Sequence, residues 1–190
     1  MNPQEVTQLI RNRRSIYPKL YSGELVTDAV IEEMLENANW APTHRLTEPW
    51  RFVVHNGEGI KRLATFQSEL YKKVAIANGN FEQDKFEKLA TKPMMASHII
   101  AIGMKRDPKE SLPEIEEVES VAMAVQNMYL TAAAHGVGCY WGSGGVTYME
   151  EAAAYFGFDK LLGFLYCGMP KIAWPKSNRK PIADKVRWEK

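Results

Sequence analysis

Apolar residues recur along this chain with two periods, and each period predicts a different kind of element. Spacings of three and four at Val6, Leu9 and Ile10 predict a first helix. Asn2 is placed to cap that helix and Pro3 to begin it. The same period predicts further helices at 28–38 behind Thr27, at 60–74, at 115–132, and at 148–156 behind a Thr147–Glu150 capping box.

Shorter apolar runs predict the strands. β-branched and aromatic residues at 51–55 predict one strand, and the runs at 139–141 and 161–168 predict two more. The run at 97–104 is too apolar for a half-exposed strand, so we expect it at the centre of the sheet. The polar stretch 79–93 carries no predicted element. Because helices and strands mix without strict βαβ alternation, their order predicts an α+β fold with a sheet flanked by helices.

Composition bounds the class of protein without indicating a function. At 190 residues the chain fits one domain, 1–190, and 45% hydrophobic with 25% charged residues is typical of globular proteins. A net charge of +1 gives no general attraction for nucleic acid. No apolar run reaches the roughly 20 residues of a membrane span, and the first residues lack a signal-peptide pattern. With only two cysteines, which we expect to be reduced, the sequence predicts a cytoplasmic protein.

Polar residues that could bind a ligand are concentrated in three segments. Residues 11–15 put three guanidinium groups beside the hydroxyl of Ser15, which suits a phosphate, although arginine clusters are often solvated surface. His44 stands in the loop before the first strand, where its imidazole could bond a heterocycle, a ribityl hydroxyl or only water. The turn at 141–145 offers an aromatic wall and unobstructed amides to a flat ring, or is a plain glycine turn. Together the three segments suggest a phosphorylated, aromatic cofactor.

Several kinds of chemistry lack their sequence signature. The chain has no G-x-x-x-x-G-K-[ST] phosphate loop, no complete dinucleotide fingerprint and no G-x-S-x-G elbow. Its four histidines and two cysteines show no metal-ligand spacing, so we predict no metal site. Hydrolytic and metal-dependent mechanisms are therefore disfavoured, and chemistry carried by a bound cofactor is favoured.

Four groups of short motifs, spread along the chain, support the interpretation that a bound cofactor carries the chemistry. They are Arg13-Arg14-Ser15, Ala41-Pro42-Thr43-His44 with Pro49-Trp50-Arg51-Phe52-Val53-Val54, Gly136-Val137-Gly138, and Phe164-Leu165-Tyr166-Cys167-Gly168-Met169-Pro170. Their order and spacing resemble the FMN-dependent nitroreductase family, and the ending Arg179-Lys180-Pro181 is similar to its C-terminal pattern. The resemblance covers nearly the whole chain and is greatest to the compact bacterial NAD(P)H nitroreductases.

The resemblance implies a central, mainly antiparallel sheet flanked by helices, and an intertwined homodimer with two FMN sites built from both subunits. By their positions in the family motifs, Arg13 and Ser15, with Arg14 alongside, would hold the phosphate or the ribityl chain of FMN. Arg179, or alternatively Lys180, would be the C-terminal contact to the phosphate. Trp40 and His44 would reach the flavin of the partner subunit, and the glycine turn would line it. The implied cofactor-binding residues are Arg13, Arg14, Ser15, Trp40, His44, Trp141, Gly142, Ser143 and Arg179.

The implied activity is hydride transfer from NADH or NADPH to flavin N5, followed by two-electron delivery to a small-molecule acceptor such as a nitroaromatic or a quinone. Flavin carries this chemistry, so no catalytic side chain is expected. Glu48 departs from the Gln that is common in the family, and Gly142 stands where the family often has Arg. A same-fold deiodinase-like or flavin-fragmenting enzyme remains an alternative, as does a flavin-binding reservoir or sensor without turnover.

Overall fold

Across residues 2–190, which this computed structural model describes, four antiparallel strands form one sheet in the spatial order β1-β2-β4-β3. The strands are β1 (Trp50–Asn56), β2 (His98–Met104), β3 (Gly138–Gly142) and β4 (Lys160–Gly168). Every residue of β2 is buried, which confirms its predicted central position. Cys139 of β3 and Cys167 of β4 lie opposite each other, and both are free thiols.

Within the same residues, six α-helices surround the sheet, and five of them match the helices that the apolar spacing predicts. The additional helix lies in the polar stretch for which the sequence predicts no element. Its Phe86 is half-buried, with its ring 6.2 Å from that of Phe81, and such tertiary contacts override a weak local pattern. The helices are α1 (Pro3–Asn12), α2 (Asp28–Ala38), α3 (Gly57–Ala77), α4 (Gln83–Thr91), α5 (Glu114–Ala134) and α6 (Glu150–Phe156).

The predicted helix caps have different outcomes. The Asn2 side chain accepts a hydrogen bond from the Gln4 backbone N–H at 3.0 Å, which confirms the first cap. Thr27 occupies the cap position of α2, but its side chain makes no capping bond. The Thr147 capping box is wrong, because α6 begins at Glu150 and the Thr147 hydroxyl instead donates to the Gly144 carbonyl at 3.0 Å. Thr147 therefore closes the glycine turn rather than the helix.

Two hydrophobic layers pack on the two faces of the sheet. Because side chains alternate along a strand, Ile100 joins the layer covered by α2 and α5, while Ile99 joins the layer covered by α3 and α6. Helix α1 lies outside both layers and buries none of its residues. Of its predicted apolar stripe, Val6 and Ile10 are 37% and 52% exposed, while Leu9 is half-buried. The structure confirms the α+β fold with an antiparallel sheet flanked by helices.

Candidate functional site

A cavity of about 470 Å³ opens where α5, β3 and the glycine turn meet. This volume falls in the range of roughly 300–1,000 Å³ that is typical of small-molecule sites. The cavity brings together three of the predicted cofactor contacts, Ser15, Trp141 and Ser143. Its lining residues are Ser15, Val118, Ala122, Tyr129, Trp141, Ser143, Tyr148 and Leu162.

Ser15 reaches the cavity because the segment after α1 runs beside β3. Ser15 pairs with Cys139 in a parallel bridge, and the Ile16 N–H donates to the Cys139 carbonyl at 2.9 Å. This close approach depends on Gly138, since a Cβ at that position would lie 2.9 Å from the Ile16 Cβ. The backbone thus holds Ser15 beside Cys139, which lies two residues before Trp141 in β3.

Trp141 forms the aromatic wall of the cavity, and hydrogen bonds hold both its backbone and its ring. Its backbone N–H donates to the Tyr129 hydroxyl at 2.7 Å, and its indole Nε1 donates to the Leu162 carbonyl at 3.0 Å. The pairing of β2 with β4 shifts register at this point, so Leu162 is a bulge residue. The next residue, Gly163, has a φ of +135°, and a Cβ there would lie 2.4 Å from the indole nitrogen. The wall therefore requires glycine at this position.

Tyr129 connects this wall to the arginine cluster. Burial raises the pKa of the Tyr129 hydroxyl to about 12, while hydrogen bonds from the Ser15 hydroxyl and the Trp141 N–H oppose the shift. The phenol is therefore neutral at pH 7. The Arg13 guanidinium lies over the Tyr129 ring, 5.0 Å from its centroid, in a cation–π contact. Arg13 is thereby positioned at the edge of the cavity.

The other two predicted arginines, Arg14 and Arg179, lie near enough to Arg13 for their charges to act on it, and Arg14 lines a separate cavity with Pro175. Burial lowers the pKa of Arg13, and the positive charges of Arg179 and Arg14 lower it further, against the opposing effect of Tyr129. The Arg14 Nε donates to the Pro175 carbonyl at 2.8 Å, and Arg179 donates to the Ser177 hydroxyl at 2.9 Å. Among residues 2–190, none of these three guanidinium groups has a carboxylate within 4.0 Å. An anion beside them would therefore relieve their mutual repulsion.

Trp40 and His44 lie outside this cavity in the single chain. The Trp40 side chain is 78% exposed, and its Nε1 donates to Glu36 at 3.1 Å. His44 Nδ1 lies 2.6 Å from a carboxylate oxygen of Glu116 on α5. The loop that carries His44 is unusual, because Arg45, Leu46 and Glu48 all have φ between 43° and 55°. Contact of Trp40 and His44 with a partner's flavin stays a prediction.

The two departures from the family pattern occupy different surroundings. A Cβ at Gly142 would lie 3.1 Å from the Tyr140 ring and 3.7 Å from Lys92 Nζ. Because residues alternate along β3, this direction is opposite to that of Trp141, so only the Gly142 backbone can reach the cavity. Glu48 is exposed, and its backbone N–H donates to the Thr43 hydroxyl at 3.3 Å. Its carbonyl accepts from Arg51 at 2.9 Å, so this residue supports the loop through its backbone.

The cavity also contains residues that the sequence analysis did not assign to a site. Three of them belong to the apolar face of α5, namely Val118, Ala122 and Tyr129. The helical spacing of that face predicts that it packs against other elements, but does not predict which of its residues line a ligand cavity. Leu162 reaches the cavity through the bulge in β4, and Tyr148 through the turn before α6. Neither the bulge nor the turn has a local sequence signal that predicts these contacts.

Within residues 2–190, no group of three His, Cys, Asp or Glu side chains could hold a metal ion. No helix in that range is both long and apolar enough to cross a bilayer. The cytoplasmic location and the extent of the domain, 1–190, stay predictions.

Comparison with known proteins agrees with the fold and the motifs. The model of the nitroreductase family matches residues 10–170. The "Putative NAD(P)H nitroreductase YdjA" of Escherichia coli (strain K12) is 32% identical over 175 residues, which cover 88% of this chain and 90% of that protein. The chain belongs to the nitroreductase family, which is a family of oxidoreductases.

Solved structures show the same fold. The crystal structure of a nitroreductase-like family protein from Bacillus cereus has a TM-score of 0.80 at 25% identity, covering 100% of this chain and 98% of that chain. The FMN-dependent nitroreductase NfnB from Mycobacterium smegmatis, solved in complex with NADPH, has a TM-score of 0.71 at 17% identity. That match covers 98% of this chain and 99% of NfnB.

Proposed function

We propose that this protein is an FMN-dependent oxidoreductase that oxidises NADH or NADPH and reduces a small-molecule acceptor such as a nitroaromatic or a quinone. The observation that carries the proposal is a group of three arginines without carboxylate partners, of which Arg13 lies over the Tyr129 ring that lines an aromatic cavity. FMN has the matching chemistry, since a phosphate ends its chain and a flat ring system forms its head.

The roles of the residues follow from this fit. Arg13, Arg14 and Arg179 would bind the phosphate, with forked donors that suit its oxygens. The Ser15 hydroxyl would form a hydrogen bond with the phosphate or the ribityl chain, while Trp141 and Ser143 of the glycine turn would line the flavin ring. When bound, FMN supplies the redox chemistry, by accepting hydride from NAD(P)H and passing two electrons to the acceptor. The protein's part is to bind, orient and shield, so no acid–base side chain is assigned.

We further propose that the active form is a homodimer in which each site uses both chains. In the single chain Trp40 is 78% exposed, Ile115 60% and Tyr148 81%, and large exposed apolar side chains favour burial against a partner. Trp40 and His44 lie outside their own cavity, which is consistent with their serving the other one.

The first experiment is to purify the protein and record its visible spectrum, before and after incubation with FMN. We expect a flavin spectrum and oxidation of NADH or NADPH that depends on an added nitroaromatic. Arg13→Gln should weaken FMN binding by tenfold or more, as expected for losing a charge-assisted contact of about 1.5–3 kcal/mol. Arg62→Gln, on the exposed surface of α3, removes the same charge and should not weaken binding.

The outcomes separate the alternatives. Flavin colour without acceptor-dependent turnover would favour the reservoir or sensor. Failure to bind any flavin, even on reconstitution, would overturn the proposal.

The shared site is tested by mixing two inactive chains. An Arg13→Ala chain and a His44→Ala chain should each form defective homodimers. Their heterodimer should regain one intact site, because both substitutions then fall in the other site. FMN bound normally by monomers would overturn the shared site.

A further inference from the structure

A second cavity, of about 530 Å³, lies between the loop that follows His44 and the segment that follows β2. Its lining contains five basic side chains, Arg45, Arg51, Lys105, Arg106 and Lys109, against a single acid, Asp107. The protein as a whole carries a net charge of only +1, so this cavity concentrates positive charge locally.

Two of the five basic groups already have a carboxylate partner. Arg106 Nε donates to the buried carboxylate of Glu117 at 2.8 Å, and Lys105 Nζ lies 3.9 Å from Asp159. Asp107 accepts hydrogen bonds from the Ser111 hydroxyl at 2.5 Å and from the Lys109 backbone N–H at 3.3 Å. The one acid of the lining therefore keeps its negative charge, which hydrogen bonds from its own loop stabilise.

The other three basic groups have no carboxylate within 4.0 Å among residues 2–190. Arg51 donates to the carbonyls of Glu48 and Trp50, at 2.9 and 2.7 Å, which orients its guanidinium without cancelling its charge. Arg45 donates to the Ser111 carbonyl at 3.3 Å. Lys109 makes no side-chain hydrogen bond in the described residues. An oriented guanidinium beside two more cations suits a phosphate with two negative charges.

The location relates this basic cavity to the first one. His44 immediately precedes Arg45 and contacts Glu116 on α5, and Ser111 lies just before α5 begins. Ser111 of the basic cavity and Val118 of the first cavity are joined by three residues of chain and four of helix, which together span at most about 17 Å. An extended dinucleotide can reach over such a separation, so one molecule can extend from one cavity toward the other.

We propose that the basic cavity binds the 2′-phosphate of NADPH, and thereby makes the enzyme prefer NADPH over NADH. The proposal rests on the proposed function, in which a nicotinamide nucleotide is the hydride donor. NADPH and NADH differ only in this phosphomonoester, which carries about 1.5–2 negative charges at pH 7. Both nucleotides also share a diphosphate bridge. Each of its two phosphates carries less negative charge than the 2′-phosphate, so the bridge matches three cations less well.

The test is the double variant Arg51→Gln/Lys109→Gln, compared with Arg62→Gln/Lys73→Gln on α3, which removes the same charge elsewhere. We expect KM for NADPH to rise about tenfold in the first variant, with KM for NADH changed by less than about twofold. Calorimetry should show a similar loss of affinity for 2′,5′-ADP but not for ADP. The control variant should match the wild type in all four measurements.

Equal changes for NADPH and NADH, or no change for either, would overturn the proposal. If the double variant does not fold, Lys109→Gln alone is expected to raise KM for NADPH about threefold. Binding of 2′,5′-ADP is measured without turnover, so it tests this cavity independently. Failure of the proposed function would instead appear as a wild-type protein without flavin or without NADH and NADPH oxidation.

Discussion

Two parts of the candidate site are built in opposite ways. The wall formed by Ser15, Trp141 and their supports is held by main-chain bridges, a buried tyrosine and a glycine with φ of +135°. The loop that carries His44 is exposed, has three non-glycine residues with positive φ, and contacts α5 through the 2.6 Å bond from His44 to Glu116. The wall is held by buried groups, whereas the loop is held mainly by hydrogen bonds between exposed groups.

This difference indicates how a site can be divided between rigid and adaptable parts. In a wall fixed by packing, the protein side chains lose little further freedom when a flat ligand binds. A loop with positive φ at Arg45, Leu46 and Glu48 stores strain that surrounding contacts must balance. Changes in the wall should therefore affect both stability and ligand binding, and changes in the loop should affect mainly binding.

The largest effect is expected for Gly163→Ala. The added Cβ would lie 2.4 Å from the Trp141 indole nitrogen, at a φ that L residues rarely adopt. We expect the free energy of unfolding to fall by about 3 kcal/mol, from overpacking and backbone strain together, and FMN binding to be lost. Denaturant unfolding and flavin titration measure the two effects.

Gly59→Ala, on helix α3 and outside the site, is the matched control for this change. A Cβ at Gly59 would meet only ordinary contacts, the nearest at 3.7 Å, so this variant should lower neither the free energy of unfolding nor FMN binding. Equal losses of stability and FMN binding in the two variants would mean that glycine at position 163 is not specifically required for the aromatic wall.

The next largest effect is expected for Tyr129→Phe. This change removes the hydroxyl that accepts the Trp141 N–H at 2.7 Å, and leaves that N–H unpaired beside a buried ring. An unpaired buried donor costs about 1–3 kcal/mol, so we expect a loss near the lower end and several-fold weaker FMN binding. Tyr148→Phe is the control, because Tyr148 lines the same cavity but is 81% exposed. A loss of stability only in the control would contradict this role of Tyr129.

The sequence predicts most of the rigid architecture because strong local patterns encode it. The all-apolar run of β2 indicates its central place, and Asn2 indicates the start of α1. Helix α4 is missed because its stability comes from contacts such as that of Phe86 with Phe81, which lie outside any local period. Thr147 is misassigned because the same hydroxyl can cap a helix or close a turn, and only the tertiary structure decides.

The candidate site is less predictable from sequence than the fold. Ser15, Trp141 and Ser143 come from motifs that resemble a family, and the structure brings them to one cavity. Gly163 has no such signal, because its role depends on the Trp141 ring and on a bulge between β2 and β4. The contacts proposed for Trp40 and His44 would be made to a second chain, so neither the sequence pattern nor the geometry of a single chain specifies them.

A smaller effect is expected for Glu116→Ala, which removes the partner of His44. Both side chains are substantially exposed, at 56% for His44 and 39% for Glu116, so the free energy of unfolding should change by less than about 1 kcal/mol. FMN binding should weaken about threefold, because His44 loses the bond that orients its ring. Glu119→Ala, also on α5, is the control and should change neither quantity. A large loss of stability in Glu116→Ala would mean that the loop is fixed as firmly as the wall.

The smallest effect is expected for Leu46→Gly, which probes the strain in the loop directly. Leu46 has a φ of 55° and is 81% exposed, so little packing is lost with its side chain. The left-handed conformation costs an L residue about 1–2 kcal/mol, and the extra freedom of glycine in the unfolded chain costs about 0.5–1 kcal/mol. We therefore expect Leu46→Gly to raise the free energy of unfolding of the flavin-free protein by about 0.5 kcal/mol. Leu25→Gly is the control, because Leu25 is 76% exposed without a positive φ, and it should lower that free energy. Equal losses in the two variants would show that the loop is unstrained, and the contrast with the wall would then rest on exposure alone.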